Sequence, residues 1–390
     1  MDKNKNKNIL IWIYKIYVIL SEENRMHENG ISDSKKAVLA VLEILKRYTD
    51  VDHTISNVKI RKILEKKYDI KKHRDTVKNT LTNLVDSGII TCAHSDRSKD
   101  DEEYTYNYYY NQLFSNEELQ VLINSVMFSK MLTEEQVKKL SNSLKSLATE
   151  HFKKELNYIN TLPDKQYTIN KRTINNFTKI LKIIYENKQK SGDKEKRIRF
   201  QFNNYGVDDS GKTVLSKSSA GKHELLPLRI CEVNHRYYLI GYMEGKMQLC
   251  HYRIDLITGL EEKEYAGLEK NEIKEKLINS LTTKTVSQYM SEHFYMFFGD
   301  AKEIIIEIQS NNHFSPYGGY TLLFDTFGEN WCLKEKKEES IIVSVRCVVD
   351  AMKILVMQYI DRIKVIGPPD IKKEIELKIA DSLKKYLDKS

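Results

Sequence analysis

Residues 56–88 read SNVKIRKILEKKYDIKKHRDTVKNTLTNLVDSG, and their pattern organises the N-terminal part of the chain. Apolar residues recur every three or four positions in both halves, which indicates two amphipathic helices. Ser56 is suited to cap the first helix, and only the short turn Asp69–Lys72 separates it from the second. Gly88 suits the left-handed position at which the second helix ends. The segment therefore predicts a helix, a tight turn and a second helix.

The flanking sequence extends this pattern in both directions. From Ser34 onward, apolar residues with helical spacing predict a preceding helix; they are Val38, Val41, Leu42, Leu45 and Tyr48. Beyond Gly88, the strand-like runs Ile89–Cys92 and Tyr104–Tyr110 are joined by the charged loop Ser95–Glu103. Three short helices followed by a β-hairpin predict a winged helix-turn-helix over residues 34–112.

Basic residues are concentrated in the two helices of residues 56–79. Nine of them lie there: Lys59, Arg61, Lys62, Lys66, Lys67, Lys71, Lys72, Arg74 and Lys78. Three acidic residues oppose them, so this stretch has a net charge of +6 in a protein whose total is +8. A recognition helix presents its outward N-terminal residues to bases and phosphates in the major groove. The predicted contacts to double-stranded DNA are Lys59, Lys71, Lys72, His73, Arg74, Thr76, Lys78, Asn79 and, on the wing, Arg97 and Lys99. The alternative is an ordinary solvated lysine-rich face.

Composition excludes several other classes of protein. The 390 residues include five widely spaced cysteines without a C-x-x-C pair, so we expect neither disulfides nor a zinc cluster, and a cytoplasmic location. No P-loop, H-E-x-x-H or G-x-S-x-G motif is found, and the ten histidines are scattered. We therefore expect no enzymatic activity, no catalytic residue, no metal and no cofactor.

Residues 1–33 form a predicted N-terminal extension. Ile9–Leu20 is apolar except for Lys15, but it is too short to span a bilayer, which needs about 20 residues. Three interpretations stand: a signal or anchor, a helix or strand packed on the body, or a dispensable extension with Met26 as the start. We expect no membrane association of the mature protein.

A helical connector is predicted for residues 113–170. Ser115 with Glu118, and Thr133 with Gln136, form capping patterns that begin two helices. Their apolar stripes are typical either of helices that dimerise or orient domains, or of plain core. The residues of these stripes are Leu119, Leu122, Ile123, Val126, Met127, Leu132, Val137, Leu140, Leu144 and Leu147.

Residues 171–268 predict a small β module after a helix at Thr173–Asn187, whose apolar residues are Ile174, Phe177, Ile180, Leu181 and Ile184. Strand-like runs follow at Ile198–Phe202, Leu225–Ile230, Arg236–Tyr242 and Met247–Ile254, a spacing that favours a small barrel or strongly bent sheet. Arginine and tyrosine side chains bind phosphates and stack on bases. The candidate ligand-binding residues are Tyr205, His223, Arg229, Arg236, Tyr237, Tyr238, Tyr252, Arg253 and Asp255. The alternative for the tyrosines is core packing.

Three motifs in this module resemble the WYL domain of bacterial transcription regulators. They are Pro227, the run Arg236–Tyr242 and the run Tyr252–Asp255. The tripeptide that names the family falls on Tyr237-Tyr238-Leu239, with tyrosine in place of tryptophan, and Leu256 stands where the family usually has arginine. The resemblance extends over residues 34–388 through the segments Thr49–His53, Arg74–Val77, Leu323–Gly328 and Val365–Pro368.

The resemblance implies a ligand-responsive, homodimeric, DNA-binding regulator of the bacterial cytoplasm, with an Sm-like sensor module and a C-terminal extension domain. It also implies a nucleic acid or nucleotide effector. Residues 269–390 predict strands at Ile304–Ile308, Ile341–Val348 and Ile363–Ile366, with helices at Ala351–Tyr359 and Asp370–Leu387. Ferredoxin-like α+β topology is the expectation for this domain.

The sequence thus predicts an α+β multidomain transcription regulator, most simply a repressor. The alternative is an accessory regulator or antirepressor that binds proteins and has no operator of its own. The basic helices favour the first hypothesis, whereas the acidic residues of the wing loop leave room for the second.

Overall fold

The computed structural model describes residues 33–94, 106–156, 167–189, 194–265, 271–309 and 319–387. The chain divides into two compact units, residues 1–125 with 140–160 and residues 126–139 with 161–390. Helices and three antiparallel sheets confirm the predicted α+β, multidomain class. The segment 113–170, predicted as a connector, contributes to both units. Within the described ranges, no helix is both long and apolar enough to cross a membrane.

Three helices and a three-stranded sheet make up most of the first unit. The helices are α1 (Asp33–Tyr48), α2 (Asn57–Tyr68) and α3 (Arg74–Asp86). The strands are β1 (Ile55–Ser56), β2 (Ile90–His94) and β3 (Tyr106–Tyr110), which pair in the order β1-β3-β2. The centre of the core is formed by Ile44, Leu45, Ile60, Leu64, Leu81 and Ile90.

The local signals of this region are confirmed, with one exception on α1. The Ser56 hydroxyl accepts a hydrogen bond from the Lys59 amide at 3.4 Å, and Gly88 has a φ of +73°. The prediction for Val38 is wrong, because this residue is 38% exposed while Ala37 and Ala40 are buried. Alanine has a small side chain that allows close packing. The buried face of α1 therefore includes the two alanines and is turned slightly away from Val38.

A buried carboxylate anchors the end of α1. Asp50 is 5% exposed, and its side chain accepts hydrogen bonds from the His53 amide, from His53 Nδ1 and from Thr149 Oγ1, at 2.8, 2.7 and 3.2 Å. Burial alone would raise the pKa of Asp50, but the hydrogen bonds outweigh it and the pKa lies below its usual value. The Glu150 amide donates to the Arg47 carbonyl at 2.9 Å, so the chain returns to this point about a hundred residues later.

Both predicted capping patterns are confirmed. The helices that follow are α4 (Asn116–Met127), α5 (Glu134–Lys145) and the short α6 (Phe152–Glu155). Ser115 and Glu118 exchange hydrogen bonds of 2.9 and 3.2 Å, and Thr133 and Gln136 exchange bonds of 3.0 and 3.3 Å. The stripes are narrower than predicted, because α4 buries only every fourth residue from Leu119. Leu122 and Leu140 are exposed, at 37% and 41%.

A five-stranded antiparallel sheet forms the first part of the second unit. The helix α7 (Thr173–Gln189) precedes β4 (Glu195–Val207), β5 (Thr213–Val233), β6 (Arg236–Met243), β7 (Gln248–Arg253) and β8 (Ile257–Tyr265). The strand order is β7-β6-β5-β4-β8, so the last strand joins the sheet beside the first. The buried residues Ile180 and Ile184 of α7 pack against the sheet, in one core with Ile198, Phe200, Leu239 and Ile257 of its strands.

The module differs from the sequence prediction in three details. The strand predicted at Leu225–Ile230 is one half of the 21-residue β5, whose first half is mostly exposed and is held by pairing with β4. The charged strand β8 was not predicted, because its sequence shows little apolar alternation. Its pairing with β4 holds it in the sheet. Leu181 was predicted to face the core but is 49% exposed, and Ile183 is buried in its place.

The C-terminal part of the second unit combines helices with a four-stranded antiparallel sheet. The helices α8 (Glu272–Thr283) and α9 (Val286–Glu292) lead into β9 (Ala301–Gln309), α10 (Gly319–Phe327), β10 (Trp331–Lys336), β11 (Ser340–Val348), α11 (Val349–Gln358), β12 (Ile363–Gly367) and α12 (Pro369–Leu387). The strand order is β10-β11-β9-β12. The strand β10 was not predicted, because it is an edge strand whose residues are almost all exposed.

Gly241 lies where β6 passes close to β5, and replacing it should destabilise the second unit. A Cβ atom at this position would lie 2.2 Å from Leu225 Cδ1 and 2.8 Å from the Leu226 carbonyl oxygen. We expect Gly241→Ala to lower the free energy of unfolding by about 1–3 kcal/mol in urea denaturation, through overpacking. Gly245→Ala is the matched control, since nothing lies within 4 Å of its Cβ position. Equal stability of the two variants would contradict this tight packing.

Candidate functional site

The N-terminal half of α3 presents the predicted DNA-contacting residues to solvent. Exposed residues on this surface, which we call the recognition surface, are Lys59, Lys71, His73, Arg74, Thr76, Lys78 and Asn79. Lys72 is half-buried, and Val77 alone in this stretch points into the core, at 2% exposure. Eight of the ten predicted residues are therefore at least partly accessible to solvent on α2, the turn or α3. The other two, Arg97 and Lys99, lie outside the described residues.

Hydrogen bonds between α2 and the turn fix the start of α3. The Arg61 Nε atom donates to the Lys72 carbonyl at 3.3 Å, and Asn57 Nδ2 donates to the Arg74 carbonyl at 3.4 Å. Asp69 adopts a left-handed conformation, with a φ of 53°, that ends α2. The acceptors of these two bonds are main-chain carbonyls, so they position the start of α3 without using the side chains of the recognition surface.

A second cluster of predicted residues surrounds Asp255 in the β module. The Asp255 side chain is 4% exposed and binds two guanidinium groups. Arg236 Nη1 lies 2.9 Å from Oδ2, and Arg253 makes a bidentate contact with Nε 3.1 Å from Oδ1 and Nη2 2.8 Å from Oδ2. Tyr205 donates its hydroxyl to Oδ2 at 3.2 Å, and its ring lies 5.7 Å from the Arg253 guanidinium carbon.

Three buried asparagines hold the turn that carries Asp255, and sequence reasoning missed all of them. Asn170 Nδ2 donates to the carbonyls of Asp255 and Ile257, both at 2.9 Å. Asn176 donates to the Ile257 carbonyl at 2.8 Å, and Asn203 donates to the Leu256 carbonyl at 2.8 Å. The carbonyl groups that these asparagines bind lie more than fifty residues away in sequence, so no local sequence pattern indicates the role of the asparagines.

Three of the remaining aromatic candidates, His223, Tyr237 and Tyr252, do not join this cluster, which corrects the prediction of a single tyrosine- and arginine-rich face. Successive residues of a strand point to opposite faces of the sheet. Tyr237 therefore packs against Phe177, with ring centroids 5.0 Å apart, and Tyr252 is 8% exposed in the core. The Tyr252 hydroxyl lies 3.0 Å from His223 Nδ1, and burial lowers the pKa of His223. Tyr238 faces the Asp255 side of the sheet, where the charges of Arg253, Asp255 and Arg236 act on its hydroxyl.

Arg229 and His251 lie farther along the same face, next to α9. Tyr289 and Cys231 flank Arg229 closely enough to interact electrostatically with it. His251 Nδ1 lies 2.9 Å from the Met296 carbonyl, and its Nε2 lies 2.6 Å from the Tyr289 hydroxyl. The carbonyl requires a proton on Nδ1, so Nε2 accepts from Tyr289 and the imidazole is neutral. Burial lowers the pKa of His251 to about 4.

No group of three His, Cys, Asp or Glu side chains among the described residues is arranged to hold a metal ion. Comparison with known proteins found no matching family model and no matching curated protein.

Two solved structures show a distant similarity to this chain. One is proteasome accessory factor B/C (PafBC) of Arthrobacter aurescens, with 13% identity over 94% of this chain and 51% of that chain and a TM-score of 0.24. The other is a CRISPR Cas-related protein, with 12% identity over 96% and 92% of the two chains and a TM-score of 0.35. The chain spans about half the length of the first, and at these scores neither similarity defines its fold or function.

Asp255 should be required for stability of the second unit. Asp255→Asn removes the carboxylate that Arg236 and Arg253 share, and breaking a buried ion pair costs about 3–5 kcal/mol. We expect a loss near the lower end of this range in urea denaturation, because both arginines keep some contact with solvent. Asp209→Asn, at an exposed turn position, is the control and should change nothing. An unchanged midpoint for Asp255→Asn would show that water already solvates the two arginines.

The neutral state of His251 predicts a pH dependence of stability. Between pH 4 and 6.5 the unfolded imidazole binds a proton and the folded one does not, so the free energy of unfolding rises with pH in this window. Acidification from pH 7 to 4 should cost about 3 kcal/mol from this residue, with smaller losses of the same sign from His223 and His293. His251→Gln should make the measured profile shallower, whereas the exposed His235→Asn should leave it unchanged. A profile that His251→Gln does not alter would contradict the buried neutral imidazole.

Proposed function

We propose that this chain is a DNA-binding transcription regulator, and that the recognition surface of α3 contacts the duplex. The observation that carries the proposal is the exposure of these seven polar and basic side chains on α2, the turn and α3. Phosphate contacts by lysine and arginine supply most non-specific affinity for DNA, and contacts with base edges supply specificity.

The order of the strands supports a family assignment that goes beyond the mixed α+β class. Three helices with the sheet β1-β3-β2 favour a winged helix-turn-helix. A helix followed by a five-stranded sheet, in which the fifth strand pairs with the first, favours an Sm-like module. The order β-α-β-β-α-β with sheet order β10-β11-β9-β12 favours ferredoxin-like topology. Together with the sequence motifs, these features support membership in the WYL regulator family.

The cluster around Asp255 supports an effector-binding role for the β module. Arginines and tyrosines converge there on one partly exposed face, and such groups bind phosphates and stack on bases. We propose a nucleic acid or nucleotide effector, a homodimer that matches paired half-sites, and action as a cytoplasmic repressor rather than as an enzyme.

Substitutions on α3 should weaken DNA binding in two different ways. Arg74→Ala should cost about 1–3 kcal/mol on the cognate duplex if its side chain reads a base edge. Lys78→Ala should weaken specific and random duplexes alike and reduce the salt slope by about 1. The measurement is fluorescence anisotropy, at several salt concentrations, with a duplex from upstream of the protein's own gene and with a random duplex.

Lys384→Ala, on the exposed end of α12, is the control and should bind like the unaltered protein. Equal affinity for the upstream and random duplexes would remove specific operator recognition. Absence of binding to either duplex would favour the accessory regulator without an operator.

A further inference from the structure

Arg229 is distinct among the arginines of the β module. Its Nη1 atom is buried and has no hydrogen-bond partner. Other half-buried arginines of the described residues are paired, among them Arg61 with the Lys72 carbonyl and Arg362 with Asp361. Within the described part of the chain, no carboxylate lies in salt-bridge range of Arg229. A cationic nitrogen shielded from water without a partner is costly, so its persistence calls for a function.

The two arginines at Asp255 already have a carboxylate partner. Arg236 and Arg253 share this carboxylate, and Arg253 binds it through both Nε and Nη2. An arriving anion would have to compete with a buried carboxylate for their donors. Arg229 has no such competitor, so its guanidinium offers an anion the larger gain in free energy.

Arg229 lies on the same face of the sheet as the Asp255 cluster. The strand register pairs Arg229 with Ile240 and Tyr238 with Arg253, so Arg229 and Arg253 are two strands and two residues apart. Their Cα atoms are therefore separated by about 12 Å, from the usual strand spacing and rise. Tyr238 lies between them, beside Cys231 across the strand pair. Side chains as long as arginine reach a common ligand across this distance.

We infer that Arg229 binds the anionic oxygen of the effector, and that Arg236, Arg253 and Asp255 form a frame that positions the rest of it. The inference rests on the proposed effector-binding function of the β module. The group bound is a phosphoryl oxygen, which either free phosphate or the backbone of a single-stranded nucleic acid supplies. Arg229 thereby determines affinity for the anion, while the Asp255 frame determines the shape of the site.

The test compares full-length variants that carry Arg74→Ala and Lys78→Ala, so that the recognition surface contributes little. This parent then receives one further substitution, which is Arg229→Met, Arg229→Lys or Arg199→Met. Arg199→Met is the matched control, because it changes an exposed arginine of β4. The probes are inorganic phosphate, followed by thermal shift at constant ionic strength, and labelled 12-nucleotide single-stranded DNA and RNA, followed by anisotropy. The unfolding midpoint of each variant without any probe is the second measurement.

Arg229→Met should weaken binding about ten- to hundredfold, the loss expected for a charge-assisted hydrogen bond. Arg229→Lys should weaken it less, because the charge remains, and Arg199→Met should not weaken it. Without probe, Arg229→Met should be as stable as the parent or more stable, since it removes a guanidinium group whose buried Nη1 atom has no hydrogen-bond partner. Arg236→Gln should be less stable than the parent. If inorganic phosphate binds as strongly as the oligonucleotides do, free phosphate is the source of the bound anion. If phosphate causes no thermal shift, the nucleic acid is the source.

Binding to the parent that Arg229→Met leaves unchanged would overturn the inference and keep the effector site. A loss of stability in Arg229→Met comparable to that in Arg236→Gln would also overturn it, by showing a structural role. If the parent binds none of the probes, both the inference and the proposed effector fail.

Discussion

The carboxylate of Asp255 organises the charged face of the β module. It draws in two guanidinium groups and a tyrosine hydroxyl from three different strands. Without a shared anion, these cations would repel one another and remain in solvent. The turn that carries Asp255 is held in turn by amide side chains that bond its carbonyls. The position of each arginine thus depends on one buried negative charge and on the hydrogen bonds that fix its backbone.

The two proposed anion-binding surfaces use different physical means. On α3 the basic side chains are solvated, so long-range attraction dominates and salt weakens it. In the β module the cations are half-buried and two of them share the carboxylate of Asp255, so local geometry has more influence on what binds. This contrast fits the proposed function, in which α3 binds DNA and the β module binds an anionic effector.

Features that depend on neighbouring residues were predictable from the sequence. The caps at Ser56, Ser115 and Thr133, and the helical end at Gly88, follow from interactions within four residues of each. Long-range pairing was less predictable, since β8 and β10 are polar strands that gain stability from their partners rather than from burial. The sequence located the candidate ligand site in the β module, but it did not predict how the side chains of the site are arranged. Alternation along β6 and β7 divided its aromatic residues between two faces, and the asparagines that fix Asp255 carry no local signal.

The return of the chain to the end of α1 has a consequence for modularity. Asp50 takes one of its hydrogen bonds from Thr149, and Arg47 is bonded by Glu150, both supplied from beyond the winged hairpin. A fragment cut at residue 112 would lose these donors and leave the Asp50 carboxylate with fewer partners. A fragment that runs through residue 156 retains them. Exchange of the N-terminal segment between related proteins, by recombination or in the laboratory, therefore has to carry the returning segment along with α1, α2 and α3.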